Sequence, residues 1–590
     1  MKNFIYIFIL ISSITLLLVS CTSTQALKYF NKGKSEDSQG KHQEAIQDYT
    51  QALKLNPKDA NVFNSRGTDK NELKDYQDAL QDFDCSIKLN PNKAESYYNR
   101  GVTKYILKDY QGAMDDFNKG IQLAPNAETY LQRGIVRYVL RDYQDAAGDF
   151  YKAIELNPNL ADAYSYQGII KFIQNDYQGA INSYSKAIKL KQGFAEAYYN
   201  RGLVEYAQKD YKIALSDYNK AIGLDSSYAE EYYSRGVVEH SLQDYSRANK
   251  DYTRAIQMNP KDSEIYYNRG NVRCNLQDYQ GAIQDYDIAI KLNSTPVDAF
   301  YNRGWAKYQL KDYKGSIKDF TRTIELKPAY TSAYLKRGDA KDELQDYTGA
   351  IQDYSKAIEL DTTNVDGYIN RGNVKRELDD RKGAIQDYKK AMELAPTNAT
   401  PYYNSGLIKS GNQDYNDAIK DFTKAIELDS TDANYFKERG EARSSIGSLV
   451  NNDKERRDAI VDYTKAIALN PSYEEAYSFR AMDEADLKEY TLAIADYTKA
   501  IELNPHYEQS YVARGLVKDK IKDYQGAIDD YTKAIAIDLG SNSSFGADYA
   551  FRAQDKLKLG DKNGACSDFH KAIELGDKYD ALPYINKSCK

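Results

Sequence analysis

A glycine recurs along this chain at a nearly fixed interval. It stands at Gly33, Gly67, Gly101, Gly134, Gly168, Gly202 and onward to Gly440, at steps of 34 residues with a single step of 33, and the series continues through Ala481, Gly515 and Ala553 to make sixteen units. A period of this length restricts the chain to stacked copies of one small supersecondary unit, because such a unit can bury its apolar face only against its neighbours. A chain of 590 residues would otherwise be expected to divide into several unrelated domains. Here no stretch outside the repeats is long enough to form one.

Within a unit the apolar spacing is helical. In the third, Tyr97, Gly101 and Tyr105 recur every four residues, and Ala113, Phe117 and Ile121 do so again after a break at Asp109 and Tyr110. The spacing predicts two antiparallel helices per unit. Prolines such as Pro57, Pro91, Pro125, Pro158 and Pro260 close many units and turn the chain into the next. A glycine inside a helix costs about 1 kcal/mol relative to alanine, so its recurrence implies a steric need. Small residues recur twelve positions later (Ala45, Ala79, Ala113) and nineteen later (Ala52, Ala153, Ala187), which lets helices approach closely. The 55 tyrosines are far above ordinary usage and fill the gaps, while 12 prolines and a single tryptophan leave few of the turns an all-β chain needs.

These small and aromatic positions, at this period, resemble the tetratricopeptide repeat. The resemblance implies an all-α fold: a right-handed superhelical solenoid of about sixteen helix pairs over residues 26–576, with a concave face lined by the first helix of each pair and a C-terminal capping helix at 577–590. It also implies that Cys589, in that cap, can reach Cys566 on the last repeat helix. A disulfide between them and a pair of free or buried thiols both remain open. Two register slips are candidates for a functional loop or joint: seven extra residues around Gly447 to Glu455, and four around Gly540 to Gly546.

The first twenty residues differ in kind. Lys2 precedes an apolar run from Phe4 to Val19, short for a membrane span and of the length of a signal-peptide core. Leu18-Val19-Ser20-Cys21 resembles the lipobox of bacterial lipoproteins, which implies cleavage before Cys21 and lipid attachment to it. An uncleaved anchor with an incidental cysteine is the alternative. The expected layout is a signal peptide at 1–20, a lipidated tether at 21–25 spanning at most ~18 Å, and a location at the cell envelope. Thr22 behind the cysteine implies the outer membrane where a cell has one.

Composition and motifs narrow the chemistry. A net charge of -7 with interspersed signs offers no basic face for nucleic acid. His42, His240, His506 and His570 occupy different repeat positions, with no metal-ligand or nucleophile partner at a recognisable spacing. Neither catalysis nor a metal or cofactor is therefore expected.

Two recurring polar positions remain. An arginine precedes the glycine in most units, and an aspartate stands sixteen residues after it, as in Arg100 with Asp116 and Arg201 with Asp217. In the fifth unit both change together, to Gln167 and Ser183, which points to a structural pair. Six residues before the glycine, seven consecutive units carry an acid: Glu95, Glu128, Asp162, Glu196, Glu230, Glu264 and Asp298. Tyr-Asn recurs beside them, as in Tyr199-Asn200, Tyr267-Asn268 and Tyr301-Asn302. In the family these positions face the concave groove, so the resemblance implies a scaffold for protein or peptide partners. The acids favour a Lys/Arg-rich segment, with exposed tyrosine faces for cation-π contact. A glycan-binding envelope lipoprotein is the alternative, using the same tyrosines and asparagines. The family's carboxylate clamp is incomplete here: Asn271, Asn302 and Lys336 match, but Tyr267 and Ser332 fill the other positions.

Overall fold

The computed structural model describes residues 22–293, 296–541, 546–577 and 581–589, so the signal-peptide and Cys21 readings lie outside the described residues. Sixteen helix pairs follow one another, and among the described residues there is no strand. Packing divides the chain into two bodies at 294/295. The first holds units one to eight, from the helix at 22–37 to Tyr279–Leu292, and the second holds units nine to sixteen, from Val297–Gln309 to Lys562–Glu574. Most first helices have 13 residues, like Ala94–Ile106, and most second helices 14, like Tyr110–Leu123. Among the described residues no helix is long and apolar enough to cross a membrane.

The repeat glycine is explained by a ring. A Cβ on Gly101 would lie 2.7 Å from Cε1 of Phe117, and one on Gly202 would lie 2.8 Å from Cε1 of Tyr218. These rings, from the second helix of the same unit, are fully buried, as are the alanines that flank them (Ala113, Ala214, Ala221). Helices brought this close bury their rings without voids.

The arginine before the glycine ties three helices together. Arg201 donates from Nε to Asp217 Oδ2 at 2.6 Å and from Nη2 to Oδ1 at 2.8 Å, clasping the second helix of its own unit. Its Nη1 donates to Ser185 Oγ, 2.9 Å away on the second helix of the preceding unit. Its guanidinium lies over the Tyr198 ring, 5.6 Å from the centroid. Arg66, Arg100, Arg235 and Arg269 repeat this arrangement. Where the charges are lost the contact survives: in unit five Ser183 Oγ donates to Gln167 Oε1 at 3.0 Å. In unit twelve Ser405 and Lys409 both donate to Asp421.

The seven-residue slip is not a loop. It lengthens both helices of unit thirteen by about a turn, to Ala433–Leu449 and Asp453–Leu469 with 17 residues each, and leaves a turn of three residues. Arg439 still clasps Asp462, now 23 positions on, at 2.6 and 3.0 Å. Inserting whole turns into both arms of a hairpin keeps the packing faces in register, so the expectation of a functional loop at Gly447 to Glu455 is corrected. The second slip extends a helix too, Tyr524–Ser541 with 18 residues, and residues 542–545 lie outside the described set. Beyond the last unit the described helix is Leu582–Ser588, with Tyr584 stacked on Phe569 at 5.3 Å. The structure joins Cys566 to Cys589 by a disulfide, with their Cα atoms 5.6 Å apart.

Most units add a Lys or Arg three positions after the glycine, bonded to the same aspartate, as Lys104 is to Asp116 at 2.8 Å. Units six, seven and fourteen place Glu205, Glu239 and Glu484 there instead. Each is buried, with Oε2 lacking a hydrogen-bond partner. Burial first, and then the charge of the clasped aspartate, pushes each carboxyl up to about 7. An unfolded glutamate releases its proton near about 4.3, so between these values the folded state binds more protons. Stability from these sites is therefore present at acid pH and is lost as the pH rises through about 7. Glu205→Lys with Glu239→Lys, restoring the cation, should stabilise the protein by on the order of 1 kcal/mol per site at pH 8 and by less at pH 5. Urea denaturation at the two pH values measures this, and a gain independent of pH would contradict the assignment.

Candidate functional site

The first helices of successive units pack side by side within each body. Their opening turns carry the acids singled out in the sequence. Glu95, Glu128, Glu196, Glu230 and Glu264 are exposed and Asp162 is half-buried, all in the first body; Asp298, also exposed, belongs to the second.

Between units six and seven the opening turns enclose a cleft of about 410 Å³. Glu196 and Glu230 face it from the two units, with Phe194, Tyr199, Tyr228 and Glu231 as its remaining principal walls. A second cleft, of about 400 Å³ between units three and four, repeats the plan with Glu95, Tyr98, Asn126 and Glu128. The cleft walls desolvate Glu196 and, with the nearby Asp162 charge, hold its carboxyl above the usual carboxylate range. Glu231 is buried, its Oε2 has no hydrogen-bond partner, and burial together with the Asp225 charge pushes it up to about 7. A site that desolvates carboxyls in this way favours an incoming cation, whose charge stabilises their ionised form. The chain shows the contact at the rim, where the Lys191 ammonium lies 4.5 Å from the Phe194 ring centroid.

The tyrosines and asparagines also make contacts within the array. Tyr199 packs on Tyr218, Tyr267 on Tyr286 and Tyr301 on Phe320, with centroids 5.5 to 6.0 Å apart, and Tyr301 also meets Tyr330 edge-on. These rings are half-buried, packed on one side against the second helix, and Tyr199 also lines the cleft between units six and seven. Asn268 Nδ2 donates to the Tyr233 hydroxyl at 3.0 Å, and that hydroxyl donates to Glu264 Oε1 at 2.8 Å, so Glu264 is engaged within the array. Asn200 and Asn302 are half-buried beside their tyrosines. Asp298 accepts from the Tyr330 hydroxyl at 3.2 Å, and Glu95 is met by Lys93 at 2.9 Å.

Phe194, Tyr228 and Glu231 were not singled out in the sequence, although a signal was present. Phe194 and Tyr228 occupy N-cap positions and make no side-chain cap bond, as Lys93, Leu160, Pro296, Tyr330, Tyr473 and Tyr507 also make none, whereas Asn126, Asp262, Asn364 and Asn398 cap the helices of other units. Forgoing a cap costs about 1 kcal/mol. What distinguishes units six and seven is the aromatic side chain that each sets at the cleft in place of a cap, with Tyr228 56% exposed there.

Family models described as "TPR repeat" match residues 168–209, 270–311 and 338–379. Others described as "Tetratricopeptide repeat" match ten segments between 26 and 540, among them 26–59, 195–228, 399–432 and 508–540. The chain belongs to the tetratricopeptide repeat family. Among solved structures it is similar to YrrB, described as a TPR protein with an unusual peptide-binding site, at 23% identity over 30% of this chain and 92% of that one, with a TM-score of 0.27. It is similar to the C-terminal part of a TPR repeat-containing protein from Cytophaga hutchinsonii, at 23% identity over 41% and 98%, with a TM-score of 0.37. It is also similar to Cut9 with Hcn1 of the APC/C, at 16% identity over 78% and 96%, with a TM-score of 0.33. No curated protein matches the chain. Tetratricopeptide arrays bind peptide or protein partners, and their family character is that of a protein-binding scaffold.

Proposed function

We propose that this scaffold holds a protein partner through a Lys- or Arg-bearing segment, seated in the acid clefts between its first helices and most firmly in the one between units six and seven. The observation that carries this reading is the coincidence, in one cleft, of two facing exposed glutamates, a buried carboxyl with one unpartnered oxygen and the aromatic side chains of Phe194 and Tyr228. A cation there gains both charge and ring contact. Glycan binding would draw on the Tyr-Asn pairs, which are largely occupied in packing between helices, so the peptide reading is preferred. Glu196→Gln with Glu230→Gln removes the charge and keeps the shape. With a photo-crosslinker at Tyr228, adducts in intact cells should map to a basic segment of the partner. Their yield should fall about tenfold in the double variant, a loss of about 1.4 kcal/mol, and decline with added salt. Undiminished yield in the double variant would contradict the reading.

We further propose that the array works at the cell envelope, tethered by a lipid on Cys21, and that it serves binding and no catalysis. The support is the lipobox-like Leu18-Val19-Ser20-Cys21 directly behind the apolar run. Cys21→Ala should shift the protein from the membrane fraction to soluble or unprocessed forms. Unchanged fractionation and mass would oppose the tether.

A further inference from the structure

The turn of the first unit departs from every other turn in what it assembles. Gly40, at φ 73°, ends the helix at 22–37 with its N–H on the Asp37 carbonyl at 2.8 Å, and Lys41 N–H returns to Glu36 at 2.9 Å. That turn brings Asp37 beside His42, which opens the next helix at a position where most units carry a tyrosine such as Tyr76, Tyr110 or Tyr211. From the second unit Asp69 enters the same spot. His42 Nδ1 lies 2.8 Å from Asp69 Oδ1 and 3.5 Å from Asp37 Oδ1. One ligand atom from each of the three residues falls within 4.8 Å of the others.

Asp69 is one of three buried acids at its repeat position, with Asp483 and Asp555; Asp483 accepts a hydrogen bond from Ser444 Oγ at 2.8 Å. That position, two after the glycine, is held by Val136, Val204, Val238 and Val272 in other units, all fully buried. Asp69 is itself 1% exposed, and its Oδ2 has no hydrogen-bond partner. A carboxylate in an apolar slot is costly unless a cation answers it. The last two units show such an answer at the equivalent positions. There Asp519 and Asp555 stand where Asp37 and Asp69 stand, and the Lys558 ammonium binds both. In unit two the residue at the Lys558 position is Glu72, so no lysine is supplied and a further acid is added.

We propose that Asp37, His42 and Asp69 bind a divalent first-row transition ion of the zinc class, which clamps the first unit to the second. One imidazole with carboxylates suits such an ion, whereas Ca²⁺ and Mg²⁺ favour oxygen ligands alone. Entry of the ion displaces any proton held between His42 and Asp69 to solvent. The expectation of no metal followed from spacing within units; the third ligand comes from the next one.

The test is calorimetric titration of the full chain, stripped with EDTA, with zinc chloride and separately with magnesium chloride. One equivalent of Zn²⁺ should bind and raise the thermal midpoint, and Mg²⁺ should do neither. Asp69→Val, which installs the residue of the other units, should fold without metal and take up no zinc. His42→Tyr should lose the zinc as well. No zinc uptake by the parent protein, or an equivalent retained by either variant, overturns the proposal.

Discussion

Most units of the array hang on an arginine held between two helices of its own unit and one of the unit before. The clasp from Arg201 to Asp217 closes the hairpin, the bond from Arg201 to Ser185 fixes the hairpin on its predecessor, and Tyr198 covers the guanidinium. A planar, permanently charged group with five donors can serve three partners at once, which a lysine cannot. The glycine beside it admits the ring of the second helix, so the charged clasp and the close-packed contact are adjacent consequences of one crossing. The same crossing survives an insertion of two helical turns in unit thirteen, because those turns are added on the far side of it.

The scaffold departs from its own rule where a third charge is concerned. Lys104 or Arg137 neutralises the clasped aspartate in ordinary units, whereas Glu205, Glu239 and Glu484 crowd it with a second carboxyl. Glu205 and Glu239 lie in the two units that form the better acid cleft. Inside those units burial holds the extra carboxyls protonated to higher pH than an exposed glutamate, while Glu196 and Glu230 stand exposed at the surface cleft.

The helix pairs, the glycine and the Arg–Asp clasp could be read directly from the sequence, since a period repeated sixteen times averages away local exceptions. What could not be read depended on contacts between units or on the length of a turn. The slip at Gly447 to Glu455 looked like a loop because insertion and helix extension have the same signature in residue number. The ring that Tyr199, Tyr267 and Tyr301 each pack against was not legible either, because the pattern along one helix does not reveal the ring of the next. The acids at Glu196 and Glu230 were legible, while Phe194, Tyr228 and Glu231, which make a cleft of them, were not, because the cleft forms between two units. Asp69 did leave a trace, as an acid at a position that Val136, Val204, Val238 and Val272 fill in other units.

Whether the arginine couples units or only closes its own hairpin is decided by native-state hydrogen exchange on Arg235→Leu. Arg235 clasps Asp251 in unit seven and donates to Asn219 in unit six at 2.7 Å. The three-helix tie predicts faster exchange in both Tyr245–Met258 and Tyr211–Leu224. Loss of protection confined to unit seven would contradict it.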